Sequence, residues 1–216
     1  MAFGCGKARS GGGLRAAAVL AALFAATAGG CKTTAPAAAQ AAEQDQRVRE
    51  ARDLLVQADQ ARKAGKKDEA IDLYRRSLGL DGSSAAGWHN LGTLLMEKKD
   101  YMGAASALRS AADLDARDPR PLENLGLTYF RAGYDDEALT NYMESLRRDP
   151  NHLPSIRGVA MCSYRLNRAN EEILDVVRRG VLIERDAQWR TMLQREKIRI
   201  EQQIKAEKED ARREGR

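Results

Sequence analysis

Residues 85–118 read AAGWHNLGTLLMEKKDYMGAASALRSAADLDARD and residues 119–152 read PRPLENLGLTYFRAGYDDEALTNYMESLRRDPNH, two blocks that align without a gap. Residues 51–84 align with both in the same phase. Small residues recur at Ala58, Gly92 and Gly126 and again at Ala70, Ala104 and Ala138, and a large apolar residue recurs at Tyr74, Leu108 and Tyr142. A period of 34 residues with such columns describes stacked helical hairpins. Small side chains let neighbouring helices approach and large ones fill the space between hairpins, so each unit buries its apolar face only against the next.

Trp88-x-x-Leu91-Gly92-x-x-Leu95 and Leu122-x-x-Leu125-Gly126-x-x-Tyr129 resemble the tetratricopeptide signature, which the third block continues with Ala138, Tyr142 and Pro150. The first block departs from it, with Leu54 for the Trp, Gln57 for the Leu and Gly82 for the Pro, as befits an end repeat covered on one side only. The resemblance implies an all-α fold, a right-handed α-solenoid of helical hairpins. Repeats are expected over residues 51–84, 85–118 and 119–152, with a degenerate fourth over 153–186 and a charged capping helix over 187–216. In the fourth, Ile156, Val159 and Ala160 keep the columns, but Glu172 falls where Ala is needed. One inserted residue around Asn167 to Asn170 repairs this and buries Ile173, Val177 and Gly180.

Local signals agree with the period. Gly65 and Gly133 sit where a helix end favours a left-handed residue. Asp68, Glu69, Asp135 and Asp136 cluster where the next helix presents its positive end, and Lys98 and Lys99 close a helix before Asp100 opens another. A chain with 43 % hydrophobic and only 5 % aromatic residues, rich in Ala, Arg, Glu and Leu, favours helix throughout. From Ala187 to about Arg213 a thin apolar stripe of Trp189, Leu193, Ile200 and Ile204 runs through charged sequence, with Glu201 to Lys205 and Glu209 to Arg213 spaced as helical ion pairs. Glu196 and Lys197 interrupt the stripe where an apolar residue is due, which favours a solvated cap over a coiled-coil partner.

The first 30 residues have another character. Lys7, Arg9 and Arg15 precede an apolar run from Ala16 to Ala28, and Gly29-Gly30-Cys31 follows. This pattern predicts a removable secretory signal, since a run of this length is short of the roughly 20 residues that span a bilayer. Ala28-Gly29-Gly30-Cys31 resembles a bacterial lipobox, although Ala28 stands where Leu is usual. The resemblance implies that Cys31 carries the lipid anchor, and Lys32 in place of Asp implies the periplasmic face of the outer membrane in a Gram-negative cell. Ala26-Thr27-Ala28 offers a competing cut that would release a soluble periplasmic protein. Residues 31–50 then form the anchor and an Ala/Pro/Gln linker, in which Lys32 to Gln46 reads either as an extended tether or as helix continuing into the first repeat.

Processing changes the charge. Three of the 36 bases and none of the 31 acids lie in residues 1–30, so their removal takes the formal charge from +5 to +2. No basic stripe interleaved with aromatics appears, which argues against nucleic acid. Loss of Cys5 and acylation of Cys31 leave Cys162 alone, as a small core residue without a disulfide partner.

The inventory also argues against catalysis. His89 and His152 are the two histidines, and neither stands in nucleophile or metal-ligand spacing. No catalytic residue, metal, cofactor or small-molecule substrate is expected. What remains is protein binding. The family resemblance places groove-facing positions on the first helix of each hairpin, which here select His89, Asn90, Thr93, Arg120, Glu123, Asn124, Leu127 and Arg131. Asn90 and Asn124 recur one repeat apart, and their amides could hold an extended segment by its backbone. Asn90 and Arg120 match part of a carboxylate clamp found in some family members, but Leu55, Asp59 and Asn124 depart from it. The expected partner is an envelope protein, as for secretin pilots of type IV pili or gliding-motility lipoproteins; an adaptor for cell-wall hydrolases and a soluble periplasmic chaperone are the alternatives.

Overall fold

The computed structural model describes residues 34–215, so the signal segment and Cys31 lie outside the described residues. The described residues divide into two units, at the boundary between Gln46 and Arg47. Helix α1 (Thr34–Lys63) supplies the described part of the first unit, where residues 37–46 are exposed. Of the two readings open for the linker, the helical one therefore holds from Thr34 onward.

In the second unit the rest of α1 is followed by α2 (Lys67–Leu80), α3 (Ala85–Glu97), α4 (Tyr101–Leu114), α5 (Arg120–Ala132), α6 (Asp135–Arg148), α7 (Leu153–Arg165), α8 (Glu171–Ile183) and α9 (Ala187–Glu214). The described residues are all-α, and the stacked hairpins ending in a helix are consistent with a right-handed solenoid. From α2 on each helix packs on the next, α7 also packs on α5, and α9 takes the corresponding place against both α8 and α7. Leu54, Ala58 and Ala61 of α1 share a core with Ala70, Ile71 and Tyr74 of α2.

The small and large columns do what their sizes require. Ala58, Ala70, Ala104, Ala138 and Ala160 are fully buried, as are Tyr74 and Leu108. Tyr142 lies between two glycines: a Cβ on Gly126 would stand 2.9 Å from its ring and one on Gly158 2.4 Å. Gly158 belongs to none of the small-residue columns, standing instead where the period has Asn90 and Asn124, and its role emerges only from the packing.

The elbows between paired helices repeat as strictly as the core. Gly65, Lys99, Gly133 and Asn167 all have positive φ, at 76°, 65°, 87° and 47°. The turn that follows each of the first three hairpins also recurs, with Asp81, Asp115 and Asp149 accepting the backbone N–H two residues on at 3.0, 3.0 and 2.9 Å. Such Asx turns stop the second helix and aim the chain at the next hairpin. In the fourth hairpin Glu184 takes this place and accepts the Asp186 N–H at 3.0 Å.

Helix starts are capped from the sequence. Ser84, Asp100 and Asn170 each accept the N–H three residues on, at 3.1, 3.0 and 2.8 Å, and Asp186 accepts two, from Gln188 and Trp189. The Asn170 cap begins α8 after the inserted residue, so Glu172 is exposed while Ile173, Val177 and Gly180 are buried.

Helix α9 departs from its expected pattern. Its buried face is Leu193, Glu196, Ile200 and Ile204, so Glu196 completes the stripe instead of interrupting it, and Trp189 is only half-buried. Glu196 is 4 % exposed; Arg199 binds it through two nitrogens at 2.6 and 2.9 Å, and Ser163 donates to it at 2.6 Å. The ion pairs also differ: Glu201 pairs with Arg178 of α8 at 3.0 Å, Lys205 with Glu209 at 3.8 Å, and Arg213 with Asp210 at 3.6 Å. Contacts with the neighbouring helix take Glu201 away from Lys205.

Candidate protein-binding groove

The residues singled out from the sequence lie on α3 and α5, where the structure joins several of them across the hairpin boundary. The Asn124 amide and His89 Nε2 are 2.7 Å apart. Burial, then the nearby Arg120 charge, push the His89 pKa down, so the ring is neutral and accepts this bond. Asn90 donates to Asp59 of α1 at 3.2 Å, and the Tyr74 hydroxyl donates to the same carboxylate oxygen. The result is a polar ladder along the first helices, with Asp59 to Asn90 as one rung and His89 to Asn124 as the next. Each Asn amide already engages one N–H within the protein and keeps its oxygen and second N–H available.

The other residues divide. Thr93 donates to the His89 carbonyl of its own helix at 2.9 Å, and Leu127 packs against the core. Arg120 grips Asp118 with contacts of 2.7 to 3.0 Å, so its charge is compensated beside the start of α5. Arg131 is exposed in the last turn of α5, with no ion pair among the described residues. Glu123 is half-buried, also without an ion-pair or hydrogen-bond partner among the described residues, and burial pushes its carboxyl up to about 7.

A concavity of about 770 Å³ lies further along, between α5, α7 and α9. Phe130, Met161, Tyr164, Trp189 and Met192 supply its apolar wall, and Arg165, Arg195 and Arg199 its basic edge. Arg157 stacks over the Trp189 ring at 4.7 Å and Arg165 over Phe130 at 4.3 Å. The wall from α9 was not legible in the sequence, because its face depends on how that helix turns against α7.

Catalytic groupings find no support in the geometry. His152 meets Ser155 at 2.9 Å, but Ser155 is fully buried and donates to Ser145, so no substrate reaches the pair. Cys162 is buried and its thiol is pushed up to about 12 by burial, which makes it inert. Among the described residues no group of three or more His, Cys, Asp or Glu could hold a metal ion, and no helix is long and apolar enough to cross a membrane.

A family model for the tetratricopeptide repeat matches residues 55–119 and again 89–152, the two matches sharing the central hairpin. Residues 55–152 are thus tetratricopeptide repeats. No curated protein matches it. The crystal structure of MamA protein is similar over 65 % of this chain and 75 % of its own, at 19 % identity and a TM-score of 0.57. The first TPR of Spaghetti (RPAP3), bound to the HSP90 peptide SRMEEVD, is similar over 56 % of this chain and 95 % of its own, at 23 % identity and a TM-score of 0.52. The Arabidopsis OM64 TPR domain matches 56 % and 97 %, at 16 % identity and a TM-score of 0.50. At these identities the likeness concerns the fold. This tetratricopeptide architecture, with the inventory above, fits a non-enzymatic scaffold for protein interactions.

Proposed function

We propose that this tetratricopeptide protein is a lipid-anchored scaffold on the periplasmic face of the outer membrane, where it holds a segment of another envelope protein. It thereby assists assembly or localisation of a membrane machine of the secretin-pilot or gliding-motility kind. The polar ladder carries the binding part of this reading, because it fixes two amides one repeat apart and leaves each with a donor and an acceptor for a peptide backbone. The solved RPAP3 repeat holding a peptide is in keeping with such use. Asp59, itself part of the ladder, opposes a terminal carboxylate and favours an internal segment.

Anchoring supports the reading from the sequence side. Acylation at Cys31 adds about 0.8 kcal/mol per buried CH₂ and confines the groove to a thin layer, which raises its effective concentration near membrane partners. The competing cut after Ala28 favours a second reading, a soluble periplasmic chaperone with the same groove. Intact mass and fractionation of the native protein, beside Cys31→Ser, test the choice. A lipid-bearing form beginning at Cys31 in the outer membrane supports the scaffold; an unmodified soluble chain beginning at Gly29 overturns it. For the groove, Asn90→Ala with Asn124→Ala should weaken cross-linking to the envelope partner while the chain stays folded by circular dichroism. Undiminished cross-linking would move the interface elsewhere.

A further inference from the structure

The concavity between α5, α7 and α9 has no role in the fold that would explain its surface. Tyr164 is 69 % exposed within it, and Trp189, Met161, Met192 and Phe130 are each partly exposed on the same wall. A volume of about 770 Å³ lies in the range of ligand sites, well above a packing defect. Aromatic rings provide a large rigid contact and Met side chains adapt to the shape of what they meet.

The charges at its edge are unequal. Arg165 is compensated by Asp135 at 3.0 Å and Arg199 by Glu196 at 2.6 Å. Arg199 is also held by Asn167, Gln203 and the carbonyls of Ser163 and Arg168, so it is part of the frame. Arg195 is exposed and has no ion pair or hydrogen-bonded partner among the described residues. The lining thus presents an apolar floor beside one uncompensated guanidinium, which complements a bulky apolar side chain with a carboxylate near it.

We infer that this concavity is the anchor site for an acidic protein segment, taking one aromatic or similarly large apolar side chain between Tyr164, Trp189 and Met192 while Arg195 pairs with a neighbouring carboxylate. This assigns α9 a recognition role as a wall of the groove, and it rests on the reading of the protein as a segment-binding scaffold. The ladder on α3 and α5 then holds backbone, and the far end of the groove selects side chains.

The test uses the Trp88→Phe protein, in which Trp189 is the remaining indole. Short synthetic peptides with one central phenylalanine, flanked by glutamate, glutamine or lysine, are titrated against Trp189 emission, beside a glutamate-flanked peptide with central alanine. The glutamate-flanked phenylalanine peptide should give a saturable shift, about ten-fold tighter than its glutamine counterpart. The lysine-flanked and alanine-centred peptides should not saturate by about 1 mM. Arg195→Glu, at an exposed position, should keep the fold by circular dichroism and reverse the preference for flanking charge. Equal affinity for all flanks, or no saturation by the acidic peptide, overturns the inference. So does self-association that Tyr164→Glu abolishes, since a second copy would then cover the site. Envelope cross-linking separates the two readings: undiminished capture by Arg195→Glu defeats the anchor site alone, whereas peptide binding without any envelope partner defeats the scaffold reading alone.

Discussion

The regular hairpins and the α7 to α9 end treat buried carboxylates in opposite ways. In the regular part, Glu123 is half-buried on a groove-lining helix without a partner among the described residues, and burial drives it towards the neutral form. At the end, Glu184 and Glu196 are more deeply buried but paired, with Arg157 at 2.8 Å and Arg199 at 2.6 Å. An unpaired carboxyl in that setting lowers its desolvation cost by taking a proton, whereas a paired one is held by its cation and fixes its neighbours. The repeats cohere through small residues against large ones; the end keeps such a core around Gly180, Ile156 and Leu193 and adds charges that would be costly to separate.

Breaking a paired charge should therefore have the largest effect. Arg199→Ala leaves Glu196 buried without its cation and should lower stability by about 3 kcal/mol in urea unfolding. In the regular part, Arg148→Ala gives up bonds to the carbonyls of Ala112, Asp115 and Asp118 but strands no buried carboxylate, and should cost about 1 kcal/mol. Similar losses from both variants would erase the distinction.

Glu123 sharpens the contrast through pH. Its carboxyl is at about 7 in the fold against 4.5 without burial, so the native state binds more protons than the unfolded chain between those values. Stability should then fall as pH rises through this window, and the penalty is absent below it. Glu123→Gln should gain up to about 3 kcal/mol near pH 8 and nothing near pH 4, measured by urea unfolding at both. A gain independent of pH would show that the carboxyl is not held neutral.

The smallest effect concerns the elbows. Lys99 adopts φ 65° without the freedom of Gly65 or Gly133, so Lys99→Gly should raise stability by about 0.5 to 1 kcal/mol. Asn167→Gly should gain nothing, because it also loses the side-chain oxygen that accepts from Arg199 at 3.1 Å. Thermal melts of the two variants would test whether the end ties even its turn to the charge network.

The fold was readable because size columns and turn residues repeat, and repetition multiplies a weak local signal. Ala58, Ala70 and Tyr74 announce their burial through Gly92, Ala104 and Leu108 and again through Gly126, Ala138 and Tyr142. Features that occur once had no such support. Gly158 acts on Tyr142, which stands outside its own hairpin, and Glu196 carries a charge that suits water in sequence but is enclosed by Arg199 and Ser163 in the fold. In the groove, residue type placed Asn90 and Asn124 on first helices, but their bonds to Asp59 and His89 depend on the spacing between hairpins. The wall from α9 was hidden for the same reason, since its facing residues are set by a non-repeating contact.

The inserted residue follows the elbow at Asn167 and is absorbed before the buried Ile173. Elbows at 65, 99, 133 and 167 consequently mark an unbroken ruler along the first helices, while the second helix of the last hairpin slips by one division behind it. Length changes at that junction leave the graduations along the first helices untouched. The front of the array can keep its spacing while the back drifts, so recognition and packing are free to evolve at different speeds.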